Sequence, residues 1–179
     1  MNSIKHKNTG IKKLVVIVFI ILTGCKSPQS FHLKGSGSSQ IIIGSANKLT
    51  LQTHQNTNWF EPNYLAYKPD SSTLVALKKH LPQTQVLIFA GTWCSDTQRE
   101  LPQFYKVADV LGLNPNQIEL QFLDENKKGF YLNESVFKIS AVPTFIFMRE
   151  GKEIGRIIEM TTQPFEKEWL DLYQLELKN

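Results

Sequence analysis

Cysteine is scarce in this chain: 179 residues carry two, Cys25 and Cys94. That number excludes a disulfide-stapled scaffold and a four-thiolate zinc site, and no C-x-x-C pair is present. Histidine is scarce too, with four residues. His6 and His32 lie in N-terminal stretches, and His54 and His80 have no partner at metal-ligand spacing, so no metal ion is expected. No glycine-rich phosphate loop and no hydrolase nucleophile motif occurs, and no cofactor is expected. Long apolar runs are also lacking. The one that exists, residues 14–22, is too short to span a bilayer well.

What is present begins at that run. Lys5, Lys7, Lys12 and Lys13 precede it and Thr23-Gly24-Cys25 follows, the order of a charged region, a short hydrophobic region and a small-residue cleavage site. Leu22-Thr23-Gly24-Cys25 resembles a bacterial lipobox. The resemblance implies that residues 1–24 are a lipoprotein signal peptide and that Cys25 carries the lipid as the first mature residue. The rest of the chain is then expected in the cell envelope, extracytoplasmic and periplasmic, anchored to the membrane through Cys25. An uncleaved N-terminal anchor is the alternative and gives the same sidedness.

The charge balance follows from this segment. The chain has 20 basic and 16 acidic residues, and residues 1–24 hold four of the lysines and none of the acids. Without them the remainder is formally neutral. A basic surplus would invite a nucleic-acid partner, but here it belongs to the targeting segment, so none is expected. Cys94 is left as the single thiol of the mature chain, which rules out an intramolecular disulfide.

Residues 25–40, with Gly35-Ser36-Gly37-Ser38-Ser39 among them, read as the lipidated cysteine and a flexible tether. Residues 41–71 read as an N-terminal extension whose Trp59, Phe60, Tyr64 and Tyr67 pack on the domain or form a partner surface beside the active turn. Residues 72–179 form the main domain. Periodicity and capping predict a strand at 41–43, a helix over 73–81 capped from Asp70-Ser71-Ser72, and a doubly buried strand at 86–90. A helix over 95–111, kinked at Pro102, is followed by a strand at 118–123 and a short helix at 133–137. A strand at 144–148, a turn at 149–152, a strand at 154–159 and a helix over 163–177 complete the order. That order predicts an α/β fold, a three-layer sandwich with a mixed central sheet.

Trp93-Cys94 stands just after the buried strand, Pro102 follows eight positions later, and Val142-Pro143-Thr144 opens the next apolar strand. Together these residues resemble the thioredoxin superfamily over about residues 72–179. The resemblance implies that Cys94 is the attacking thiol and that Pro143 is cis against it. It also implies that Trp93, Val142 and Pro143 meet the substrate, with Val142 leaving backbone free for strand-like pairing. Glu100-Leu101-Pro102 resembles the membrane-anchored periplasmic thioredoxins of cytochrome maturation, which implies a proton-transfer role for Glu100 near the thiol. An exposed helix carboxylate is the other reading of Glu100. The insertion usual in that branch is absent.

Two positions depart from the family. Thr97 replaces the resolving cysteine, and Ile88 stands where cytoplasmic thioredoxins bury an aspartate. Helix N-terminal position and the Thr97 hydroxyl favour a thiolate at Cys94, whereas the Asp96 carboxylate opposes it and Arg99 could offset Asp96. The expected activity is thiol-disulfide exchange or isomerisation through Cys94 alone. The second thiol would come from an extracytoplasmic protein or a small-molecule thiol or disulfide. The alternative is a non-catalytic peptide- or protein-binding module. Peroxide reduction is disfavoured by Gly91, three residues before the cysteine, where superfamily peroxidases carry threonine or serine. No motif encodes the oligomeric state.

Overall fold

Thr84–Ala90 forms the central strand β3, and its alternating side chains are covered on both sides. Val86, Ile88 and Ala90 enter one buried cluster, while Leu87 and Phe89 enter another. The computed structural model describes residues 30–37, 40–129 and 136–176. Around β3 lie β1 (Phe31–Lys34), β2 (Ile41–Ala46), β4 (Ile118–Phe122), β5 (Thr144–Arg149) and β6 (Lys152–Ile158). The sheet order is β1-β2-β4-β3-β5-β6; β3 and β4 are parallel and every other neighbouring pair is antiparallel. Helices α1 (Lys48–Thr53), α2 (Phe60–Ala66), α3 (Ser71–Lys78), α4 (Ser95–Leu111) and α5 (Phe165–Glu176) complete the mixed α/β architecture expected from the sequence.

The helices gather on the face to which Ile88 and Phe145 point. Phe104 of α4 meets Phe145, Phe165 and Trp169, with ring centroids 5.4, 5.8 and 5.7 Å away. The other face carries the smaller cluster of Phe89, Leu123, Val142 and Ile146, covered by the segment that includes Phe137 and Ile139. Among the described residues this second layer contains no helix. The helix expected at 133–137 falls mostly outside the described residues, and residues 136–138 form a turn.

The tether expected at 25–40 differs from what is found. Phe31–Lys34 is a strand, all four residues exposed, paired along β2 from Phe31 opposite Gly44 to Lys34 opposite Ile41. Gly44 permits this approach, with φ +117 and the position of a Cβ only 2.5 Å from the Ser30 carbonyl oxygen. Pairing with the edge of β2, rather than burial of its own side chains, accounts for β1, which is why the hydrophobic pattern did not announce it.

Residues 47–67, unassigned by the sequence, hold α1 and α2. Phe60 is fully buried, and Trp59, Tyr64 and Tyr67 pack against the main core. Tyr64 donates to Asp109 of α4 at 2.5 Å while the Lys48 and Lys106 ammonium groups lie over its ring, 4.6 and 4.7 Å from the centroid. Helix α3 starts one turn after Tyr67, where the Asp70 carboxylate accepts from Ser72 Oγ and the Thr73 N–H. Those bonds hold its carboxyl down to about 2.

Helix α4 occupies the bounds expected for it and ends at Gly112 in the left-handed conformation. Pro102 has no N–H for the carbonyl of Gln98 one turn earlier. Asn63 Nδ2 of α2 supplies the missing donor at 3.0 Å. A side chain from the N-terminal region therefore completes the helix that carries the candidate site.

Candidate functional site around Cys94

Cys94 is the N-cap of α4, at φ −90 and ψ 124, so its side chain stands at the junction of β3 and the helix. The turn that sets it there is held by backbone and side chain alike. The Cys94 N–H donates to the Gly91 carbonyl at 3.0 Å, and Thr97 Oγ1 accepts from the Gly91 N–H at 3.2 Å. Gly91 is required by close approach, because a Cβ there would lie 2.6 Å from the Trp93 ring. Trp93 is anchored at its far edge, where Nε1 donates to the Leu123 carbonyl at 3.0 Å.

The peptide bond between Val142 and Pro143 is cis. Cys94 Sγ donates to the Val142 carbonyl at 3.1 Å, so the thiol and the proline loop are in direct contact although 48 residues separate them. The Pro143 carbonyl accepts from the Glu159 N–H at 2.8 Å, and Thr144 Oγ1 donates to the Ala141 carbonyl at 2.8 Å. Val142 is buried and Cys94 partly exposed, at the rim of the smaller cluster. Trp93, Cys94, Val142 and Pro143, named from the sequence, thus come together.

Thr97 and Glu100 do not join them in the expected way. Thr97 is fully buried, and its hydroxyl accepts the Gly91 N–H instead of bonding to the sulfur. It holds the turn. Glu100 is 1 % exposed, which removes the exposed-carboxylate reading. Its Oε1 accepts from Arg99 Nε at 2.8 Å and its Oε2 from Thr161 Oγ1 at 3.1 Å. Both oxygens are engaged away from Cys94, and the carboxylate ties α4 to the segment before α5. Arg99 also lies 3.8 Å from Asp96, linking two of the acids of the helix. Ile88 is buried among hydrophobic neighbours.

A second buried acid escaped the sequence reading. Glu166 in the first turn of α5 is 1 % exposed; Oε2 accepts from the Tyr67 hydroxyl and Oε1 from the Asp70 N–H, both at 2.7 Å. The Tyr67 hydroxyl accepts in turn from the Phe165 N–H at 3.0 Å. Burial, reinforced by the bond to Glu166, pushes the Tyr67 phenol well above its ordinary range. A carboxylate suits the start of a helix, but only the fold brings Tyr67 to it. Local sequence gave no signal for that pair.

Beside Trp93 opens a cleft of about 850 Å³. Thr92, Trp93 and Gln98 line it from the thiol turn, and Ile41, Asn56 and Trp59 are among the residues that line it from the N-terminal region. Thr92 Oγ1 accepts from the Ile42 N–H at 3.3 Å, tying the thiol turn to β2. Among the described residues no group of three or more His, Cys, Asp or Glu is placed to hold a metal ion.

A parallel β-α-β unit with the thiol at its helix start, followed by a cis-proline hairpin and a closing helix, defines a thioredoxin-like site. A family model described as Thioredoxin matches residues 45–168, and the chain belongs to that family. The match begins well before residue 72, so most of the segment read as an extension lies within the family's span. Thioredoxin H2 of Arabidopsis thaliana is 30% identical over 82 residues, which cover 46% of this chain and 57% of that protein. The chain thus aligns with little more than half the length of that relative. Among solved structures, a protein of unknown function from Pseudomonas aeruginosa superposes with TM-score 0.49 at 14% identity, covering 74% of this chain and 82% of that one. Oxidised thioredoxin O2 from Arabidopsis thaliana superposes with TM-score 0.38 at 18% identity, covering 59% and 84%.

Proposed function

We propose that this protein is a lipid-anchored, extracytoplasmic thioredoxin-family protein that exchanges disulfides through Cys94 alone. The observation that carries this reading is the contact of Cys94 Sγ with the Val142 carbonyl beside the cis-proline, at the start of α4 and within reach of solvent. In the exchange, the Cys94 thiolate attacks one sulfur of a substrate disulfide; a Cys94–substrate disulfide forms and the other substrate sulfur leaves as thiolate. With Thr97 at the usual resolving position, a thiol from the substrate or a small molecule then attacks the mixed disulfide. A new disulfide leaves and the Cys94 thiol is restored, with no net oxidation or reduction of the protein. This cycle suits isomerisation and capture.

Anchoring rests on the lipobox-like Leu22-Thr23-Gly24-Cys25, which lies outside the described residues. Among the described residues no helix is long and apolar enough to cross a membrane. The partners are extracytoplasmic proteins or small-molecule thiols and disulfides, with the membrane reached through lipid on Cys25.

Incubation with glutathione disulfide followed by mass spectrometry tests the chemistry. A mixed disulfide on the unaltered chain and none on Cys94→Ser is expected; an unreactive Cys94 overturns the reading. A second reading, a binding module with a vestigial thiol, is favoured by Thr97 and Glu100, whose oxygens bond to Gly91, Arg99 and Thr161 and not to the sulfur. It is the outcome if partner binding survives in Cys94→Ser while no exchange occurs in the unaltered chain.

A further inference from the structure

The cleft beside Trp93 has an unusual lining: five side-chain amides, from Gln40, Gln55, Asn56, Asn58 and Gln98. Among the described residues its one charged lining group is the Glu125 carboxylate, and Trp59 and Trp93 add two indoles. The volume, about 850 Å³, falls within the range of ligand clefts. Gln98 Nε2 donates to the Thr92 carbonyl at 3.0 Å and Asn56 Nδ2 to the Gln40 carbonyl, which leaves the amide oxygens of both side chains as acceptors. The side chains of Gln55 and Asn58 form no hydrogen bond with other described residues, so each offers a donor and an acceptor.

Such a lining sorts ligands by chemistry. An anion would meet a surplus of carbonyl oxygens, and a cation would find one exposed carboxylate that already faces the Lys34 ammonium at 3.8 Å. A peptide group fits better, because its N–H and C=O match the paired acceptor and donor of a carboxamide without charge. The cleft borders the turn that carries the thiol, since Thr92 and Trp93 directly precede Cys94 and Gln98 follows one turn into α4. Trp93 itself belongs both to this lining and to the cluster containing Val142.

We propose that the cleft holds an extended, uncharged stretch of the polypeptide that carries the target cysteine, with its backbone amides on the carboxamides and its side chains against the indoles. This inference deepens the exchange reading and rests on it for the identity of the target, but it is tested without the thiol. Trp59 and Trp93 line the cleft and Trp169 is fully buried, so intrinsic fluorescence reports occupancy.

The Cys94→Ser chain is titrated with a capped ten-residue peptide of serine, glycine and asparagine. A saturable change is expected, little altered by 0.5 M salt and weakened at least fivefold in the Gln55→Ala/Asn58→Ala variant. Both positions are exposed, and an unchanged melting midpoint verifies the fold. Asn58→Ala alone should give a smaller loss in the same direction. No saturable binding, equal binding by the double variant, or tighter binding of an uncharged oligosaccharide overturns the proposal, the last making the cleft a glycan site. Exchange with glutathione disulfide, measured separately on the unaltered chain, shows whether the thiol reading or the cleft reading has failed.

Discussion

The two faces of the central sheet are built on different scales. On the helical face, Phe104, Phe145, Phe165 and Trp169 are fully buried and mutually packed, with Phe145 and Phe165 centroids 4.9 Å apart. On the opposite face four buried hydrophobics lean on partly exposed neighbours, among them Trp93, Cys94 and Phe137. The Cys94 thiol thus sits on the thinner side. Stability is concentrated where no chemistry is proposed, and the site lies where a ligand can reach it and where local opening disturbs fewer contacts.

The largest test of this contrast is Phe104→Ala, which should cost about 3–5 kcal/mol in chemical denaturation. The alkylation rate of Cys94 in the folded protein should stay unchanged. A large change in that rate would mean that the two faces are mechanically coupled. Next comes Glu166→Gln, which replaces the acceptor that Tyr67 and Asp70 share on the helical side and should cost about 1.5–3 kcal/mol. The same seam has a pH signature. Tyr67 holds its proton more tightly folded than unfolded, so its contribution is full below about pH 10, the unfolded value, and falls as the pH rises beyond it. Tyr67→Phe should reduce the alkaline loss, the remainder belonging to Tyr105 and Tyr64, whose phenols burial also raises, while leaving the acid limb in place.

On the thin face, Phe137→Ala removes a ring that packs 5.5 Å from Phe89 and should cost about 1–2 kcal/mol, reflecting its partial burial. Here the Cys94 alkylation rate should rise at least twofold. An unchanged rate would show that Phe137 does not help cover the thiol. The smallest effect is reserved for the contact joining α2 to α4. Asn63→Ala should cost about 1 kcal/mol with Pro102 present and less in a Pro102→Ala background, where the helix can satisfy Gln98 itself. Equal costs in both backgrounds would break the link between Pro102 and Asn63.

Much of this framework was legible in the sequence. Helix α4 was read to its ends because Ser95-Asp96 provide a start and Gly112-Asn114-Pro115 a stop. The thiol and the cis-proline loop were readable because each follows or opens an apolar strand. Helices α1 and α2, six and seven residues long, are too short to hold themselves and take their form from packing against α4 and β2. Strand β1 borrows its order from β2. Glu100 and Thr97 were named from the sequence as catalytic residues, whereas their partners, Thr161 and Gly91, were set by how the loops close.

By itself the sequence determined the α/β order, the place of Cys94 between an apolar strand and a helix, and the threonine three residues after it, because periodicity, caps and residue identity are local properties. Tertiary structure alone decided that the thiol rests on the Val142 carbonyl, that Glu100 is buried and engaged elsewhere, and that five distant carboxamides share one wall-lined cleft with Trp93. These are pairings across the fold, and which polar groups meet is settled by the requirement that buried donors and acceptors find partners once the helices have packed.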